Sequence, residues 1–192
     1  MSYTTKDGNI RSNFIARDYI KFDKPGKQMI ADFLSNFYKD QLIFCDKYDL
    51  DKDDIFGEKY TAPDMIYQIL GSLPQLAEAE IKPEKRHWKL IKETGIVHLL
   101  HRKLPYVEYA KQNQMEFTSY LFNDNGTMIV ATTGEVMAAA PKKVIRVKRI
   151  DEDGNSFWES DTILEVALKN TSFYFKKEYD YLLLSTDEAR SL

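Results

Sequence analysis

The stretch from 63 to 82 reads PDMIYQILGSLPQLAEAEIK, and its secondary structure decides between two interpretations of the chain. Its first part, 63–71, is a short apolar run between a proline and a glycine, which is typical of a buried strand. The second part, 75–82, contains good helix formers after Pro74, but Pro83 would end such a helix after barely two turns. In a strand, the same residues alternate between small or apolar side chains and charged ones.

The strand interpretation places the charges of the second part on one face. Glu78, Glu80 and Lys82 would lie opposite Ala77, Ala79 and Ile81. The turn Gly71-Ser72-Leu73-Pro74 could fold 63–82 into a hairpin and bring Asp64 toward Glu80, although the sequence does not fix the register. Two carboxylates on adjacent strands supply hard oxygen ligands for a divalent ion beside a phosphodiester. A lysine on the same face can steady the developing charge or the attacking water. The candidate catalytic residues are Asp64, Glu80 and Lys82.

This arrangement resembles the motif of the PD-(D/E)xK nuclease superfamily, which includes restriction endonucleases and many phage nucleases. The matching residues are Pro63, Asp64, Glu80 and Lys82. More loosely, the order strand, strand, strand, helix, strand extends the resemblance over residues 60–133. The resemblance implies that Asp64 and Glu80 bind Mg²⁺ or Mn²⁺, with the backbone carbonyl of Ile81 as a third ligand. It also implies that Lys82 positions or activates the nucleophilic water.

A basic segment follows the motif. Residues 82–103 contain seven basic and two acidic residues, a net charge of +5 in a chain whose formal net charge is −3. A basic stretch with an exposed aromatic suits a phosphate backbone and a stacked base. The candidate nucleic-acid contacts are Lys85, Arg86, Trp88, Lys89, Arg102 and Lys103. The alternative is a solvated basic helix face on which Trp88 anchors the side toward the core.

A second basic cluster lies at 142–149 and has no acidic residue within it. On a strand, alternation separates its members onto two faces. One face carries Lys142, Arg146 and Lys148, and the other carries Lys143 and Arg149. One of these faces could line a groove that binds nucleic acid.

The whole chain is expected to form one domain with a mixed α/β fold, in which a restriction-endonuclease-like central sheet is flanked by helices. The expected parts are an irregular segment at 1–26, the nuclease core at 27–133 and a β-rich extension at 134–192. Apolar spacing predicts a helix over 27–44, broken after Lys39, and a second helix over 105–122. Turn signals separate several strands after residue 126.

Composition excludes several other classes of protein. The single cysteine, Cys45, excludes an intramolecular disulfide and lies in an apolar run, where a buried structural role is expected. The acidic loop 46–58 lacks the glycine and the final glutamate of an EF-hand, because Asp54 and Tyr60 stand there. No signal peptide, membrane span or nucleotide-binding glycine motif is evident. A soluble, cytoplasmic protein is therefore expected, without membrane partners.

The leading hypothesis from the sequence is a small metal-dependent nuclease that acts on nucleic acid, DNA more than RNA, and a homodimer is left open. One alternative is a non-catalytic assembly or interaction protein, such as a viral structural subunit. Its twelve tyrosines and β-rich second half would suit a partner interface. Another alternative is a module that keeps a nuclease-like fold but only binds nucleic acid.

Overall fold

A computed structural model describes residues 3–4, 10–11, 24–47, 65–150 and 155–192. Its strands are β1 (Tyr3–Thr4), β2 (Ile10–Arg11), β3 (Leu42–Lys47), β4 (Met65–Ile69), β5 (Gln75–Ile81), β6 (Ile96–Leu100), β7 (Glu116–Phe122), β8 (Met128–Thr133), β9 (Lys142–Ile150), β10 (Ser156–Ala167), β11 (Ser172–Lys177) and β12 (Asp180–Leu184). Its α-helices are α1 (Lys24–Tyr38), α2 (Lys89–Thr94), α3 (Leu104–Gln112), α4 (Gly134–Ala139) and α5 (Thr186–Ser191). Of these helices, none has the length and apolar character that crossing a membrane requires.

Seven strands form the central sheet in the order β12-β11-β8-β7-β5-β4-β3. Neighbouring strands of this sheet are antiparallel except β5 and β7, which run parallel. A smaller sheet has the order β6-β10-β9, and β1 pairs with β2. The expected mixed α/β fold, with a sheet flanked by helices and a β-rich C-terminal part, is confirmed.

Residues 75–81 form a strand, as one of the two interpretations of the stretch 75–82 predicted. Strand β5 pairs antiparallel with β4, and Met65 lies opposite Ala77. On its other side β5 pairs parallel with β7 over its whole length, from Gln75 to Ile81. Prolines that bound a stretch too short for a stable helix, together with pairing on both sides, overcome the helix propensity of its alanines and glutamates.

Helix α1 covers one face of the central sheet, and the connection between β5 and β7 covers the other. On the α1 side, Ile30, Phe33 and Leu34 are fully buried against residues of the sheet. Gly26 allows the helix to lie close to β5, because a Cβ at that position would lie 2.9 Å from Cβ of Ala79. On the other face, Leu76 belongs to a separate apolar cluster with residues of α3, β6 and β10.

The two predicted helices are both shorter than expected. Helix α1 ends at Tyr38, and a 3₁₀ turn leads into β3, so the expected break after Lys39 exists but the residues beyond it form a strand. Cys45, on this strand, is half-buried rather than buried. The predicted helix 105–122 is wrong in its second half, because α3 ends at Gln112 and β7 follows. Gln114 adopts a positive φ of 56° between them, which is incompatible with a continuous helix.

Candidate functional site

The charged face of β5 forms the floor of the candidate site. Glu78 and Glu80 alternate with Ala77 and Ala79, and the alanines pack against the α1 side of the sheet. In the parallel register, Glu78 lies beside Ser119 of β7. The two glutamates therefore project on the same face as Ser119, where the side chains of both glutamates remain 17% exposed.

A buried lysine lies between the two glutamates. Lys103 ends the 3₁₀ turn that follows β6, and its side chain is only 1% exposed. Its Nζ lies 3.0 Å from Oε2 of Glu78 and 3.1 Å from Oε2 of Glu80, and it donates a 3.0 Å hydrogen bond to Oγ of Ser119. Three oxygens thus surround the ammonium, two from ion pairs with the glutamates and one from the hydrogen bond to Ser119.

The second lysine of the site comes from the end of β5. Lys82 forms an ion pair with Glu80, and its side chain is about a quarter exposed. Its backbone N–H donates to the carbonyl of Phe122 at 2.9 Å, which continues the pairing of β5 with β7 past Ile81. Glu80 is therefore contacted by two ammonium groups, one buried and one open to solvent.

These contacts and burial shift the pKa values of Glu78 and Glu80 in opposite directions. Burial acts to raise the pKa of Glu80, but the charges of Lys103 and Lys82 outweigh it and lower the pKa to about 2. For Glu78, burial is the larger effect and raises the pKa, while Lys103 acts in the opposite direction. Burial also acts to lower the pKa of Lys103, but the two glutamates outweigh it and raise the pKa. The contacts therefore favour the ionised form of Glu80, whereas burial disfavours that of Glu78.

A histidine adjoins the lysine side of the site. Burial lowers the pKa of His87, and the positive charges of Lys82 and Arg86 lower it further. Its Nδ1 is buried and has no hydrogen-bond partner among the described residues. Its imidazole is therefore held neutral near pH 7.

The carboxylates of the site are suitable ligands for Mg²⁺ or Mn²⁺, but the ammonium group of Lys103 already contacts them. Carboxylate oxygens are the ligands these ions prefer, and Glu80 keeps its charge. Within the part of the chain that the structure describes, no three His, Cys, Asp or Glu side chains converge as a metal site. Ile81 lies on β5 between Glu80 and Lys82, and Asp64, the other expected ligand, lies outside the described residues.

Two of the candidate nucleic-acid contacts need correction. Trp88 is fully buried, and its ring centroid lies 5.9 Å from that of Phe173, so it belongs to the core and cannot stack on a base. The alternative in which Trp88 anchors the core side is correct. Lys103 is buried among carboxylates and cannot contact a phosphate backbone. The remaining candidates are exposed: Lys85, Arg86, Lys89 and Arg102.

Sequence reasoning missed the centre of the site. Glu78 was placed on the charged face of the strand, but no role was assigned to it. Its position two residues before Glu80 was the available signal. Ser119 and the internal role of Lys103 had no local signal, because the crossover between β5 and β7 brings them to the glutamates.

Searches of protein-family models, of curated protein sequences and of solved structures found no match to this chain. The functional interpretation therefore rests on the geometry of the site.

Proposed function

We propose that the chain is a metal-dependent nuclease that hydrolyses phosphodiester bonds in DNA. The observation that carries the proposal is the Glu80–Lys82 ion pair on one face of β5, beside Glu78 and the buried Lys103. A carboxylate that stays ionised and an ammonium group on the same face are the groups that phosphodiester hydrolysis uses. A cytoplasmic location belongs to the proposal, since the single thiol of Cys45 would stay reduced there.

The order of elements supports the proposal. Strands β3, β4 and β5 form an antiparallel meander, and a crossover with helices leads from β5 to the parallel β7. Over residues 60–133, the range of the PD-(D/E)xK resemblance, β4, β5 and β6 are followed by α3 and β7, which gives the order strand, strand, strand, helix, strand with the short helix α2 between β5 and β6. Glu80 lies on β5, and Lys82 directly follows the end of that strand.

The proposal assigns a separate task to each group. Glu80, the backbone carbonyl of Ile81 and the sequence-based candidate Asp64 would hold Mg²⁺ or Mn²⁺, which supplies Lewis-acid polarisation of the phosphate and of a bound water. Lys82 is a quarter exposed, so its ammonium can reach the reacting phosphate or position the attacking water. Lys103 offsets part of the charge of the two glutamates from inside the protein.

Cleavage of a labelled DNA with and without Mg²⁺ tests the proposal. We expect Asp64→Ala and Glu80→Gln to abolish Mg²⁺-dependent cleavage while circular dichroism shows an unchanged fold. Glu84→Gln is the matched control, because Glu84 is an exposed glutamate just after the same strand and should not affect cleavage. Unchanged cleavage in both the Asp64 and the Glu80 variant would contradict the proposal.

The second candidate is a module that binds nucleic acid without cleaving it. The contact of Lys103 with both glutamates favours it, because an internal ammonium already neutralises carboxylates that a divalent ion would need. Tight, salt-sensitive DNA binding without Mg²⁺-dependent cleavage would select this function. A large stable assembly in light scattering, again without cleavage, would instead favour an assembly protein.

A further inference from the structure

In the three-stranded sheet, β9 and the first part of β10 extend past the end of β6. β6 pairs with β10 only from Ile163 to Ala167, whereas β9 pairs with β10 along its whole length. Residues 156–162 therefore pair with β9 alone among the described strands. We call 142–148 and 156–162 the hairpin arm, and most of its side chains are exposed.

The two faces of the hairpin arm differ in charge. Directly opposed residues of an antiparallel pair share a face. Lys148 lies opposite Trp158, and Arg146 lies opposite Ser160. We call this side the basic face, which contains no acidic residue and comprises Lys142, Val144, Arg146, Lys148, Ser156, Trp158, Ser160 and Thr162. The acidic residues of the arm, Glu159 and Asp161, alternate onto the other face.

A large aromatic ring lies in the middle of these charges. Trp158 is 60% exposed, and the guanidinium carbon of Arg146 lies 6.0 Å from the centroid of its ring. The other tryptophan of the chain, Trp88, is fully buried. An open aromatic ring between two cations, on a face without acids, has the charge and the stacking surface that suit a single nucleic-acid strand.

We propose that the basic face of the hairpin arm binds single-stranded DNA, with one base stacked on Trp158 and the adjacent phosphates contacted by Arg146 and Lys148. The choice of DNA rests on the proposed function, but the surface itself lies on a different sheet from Glu80 and Lys82. The arm is thus a nucleic-acid-binding surface separate from the candidate site on β5.

Fluorescence anisotropy of a labelled single-stranded oligonucleotide, with the full chain and without divalent ions, tests the arm. We expect Trp158→Ala to weaken binding roughly 5- to 150-fold, which is the range for losing one stacked base. Phe157→Ala is the matched control, because Phe157 is 47% exposed on the opposite face of the same strand, and binding should change little. Arg146→Gln should weaken binding and lower the slope of log affinity against log salt by about 0.7.

Intrinsic fluorescence gives an independent readout. Because Trp88 is buried, quenching on DNA addition should come from Trp158, and Trp158→Phe should abolish the quenching while keeping most of the affinity. Equal effects of Trp158→Ala and Phe157→Ala would overturn the proposal. Absence of binding, or tighter binding of a duplex or of an RNA of the same sequence, would also overturn it.

Different experimental outcomes contradict the proposed nuclease activity and the proposed DNA binding by the hairpin arm. Binding that depends on Trp158, without Mg²⁺-dependent cleavage, contradicts the nuclease and supports the arm. Cleavage that depends on Glu80, with single-strand binding unaffected by Trp158→Ala, contradicts the arm and supports the nuclease.

Discussion

The ammonium nitrogen of Lys103 lies 3.1 Å from Oε2 of Glu80 in the interior of the protein. Glu80 also forms an ion pair with the partly exposed Lys82. The buried contact is shared with Glu78, so one lysine serves two carboxylates. A charged group in a low-dielectric interior is stabilised only by oppositely charged partners, so Lys103 and the two glutamates depend on each other. The stability of the fold and the charge of the candidate site therefore depend on the same residue.

Replacing the buried lysine should destabilise the protein strongly. In Lys103→Met, Glu78 and Glu80 keep their places but lose the buried cation. Breaking a buried ion pair in this way typically costs about 3–5 kcal/mol of unfolding free energy. Urea denaturation followed by circular dichroism measures the loss. Lys82→Met is the control, because the quarter-exposed Lys82 should lose less. Equal losses in the two variants would contradict the central role of Lys103.

The same variant tests competition between the lysine and a metal ion. If Mg²⁺ or Mn²⁺ uses the oxygens that Lys103 contacts, Lys103→Met should bind it more tightly than the wild type does. Ligand binding to the folded state stabilises it, so Mn²⁺ should raise the melting temperature of Lys103→Met more than that of the wild type. The additional substitution Glu80→Gln should remove this gain. A gain that persists without Glu80 would place the ion elsewhere.

Stability at low pH should depend on Glu80. Its pKa of about 2 lies below the ordinary value of 4.5, so ionised Glu80 stabilises the folded state above about pH 4.5. This contribution, about 3 kcal/mol, is lost as the pH falls from 4.5 toward 2. The raised pKa of Glu78 acts with the opposite sign, so the comparison must isolate Glu80. The difference in unfolding free energy between wild type and Glu80→Gln should shrink over this pH interval. A constant difference would contradict the assignment.

Truncation of the two tryptophans should change the stability of the protein by very different amounts. Trp88→Ala removes a fully buried ring that packs against Phe173 and should cost about 3–5 kcal/mol of unfolding free energy. Trp158→Ala removes a ring that is 60% exposed and should change stability by less than about 1 kcal/mol. Urea denaturation followed by circular dichroism distinguishes them. A stable Trp88→Ala variant that also lost DNA affinity would restore Trp88 as a base-stacking residue.

The strand at 75–81 was one of two interpretations that the sequence left open, and the bounding prolines and the period of two in its side chains favoured it and gave its two faces. The paired location of Glu80 and Lys82 follows from the same period. These features are local, so a single sequence contains them. The prediction of a helix over 105–122 was wrong in its second half. Residues 117–122 form an interior strand that packs on both faces, and this burial outweighs the local helix propensity.

Lys103 shows why the rest was not predictable. In the sequence it belongs to a basic segment, and its neighbour Arg102 is exposed as expected. Only the path of the chain from β6 into α3 turns Lys103 inward toward β5. Burial of a charge depends on partners distant in sequence, and composition cannot reveal them. Trp88 was ambiguous for the same reason, because the side of a short helix that faces the core depends on its packing.

The close approach of Gly26 of α1 to Ala79 of β5 allows the packing of this helix against the strand to be tested. Alanine is intrinsically better than glycine in a helix by about 1 kcal/mol. A Cβ at position 26, however, would lie 2.9 Å from Cβ of Ala79, and overpacking of this kind costs about 1–3 kcal/mol. We expect Gly26→Ala to lower the unfolding free energy despite its helix propensity. Adding Ala79→Gly should recover part of the loss, since it removes the atom that the new methyl group meets. A double-mutant cycle measured by urea denaturation gives the coupling, and additive effects would show that α1 does not rest on β5 at this point.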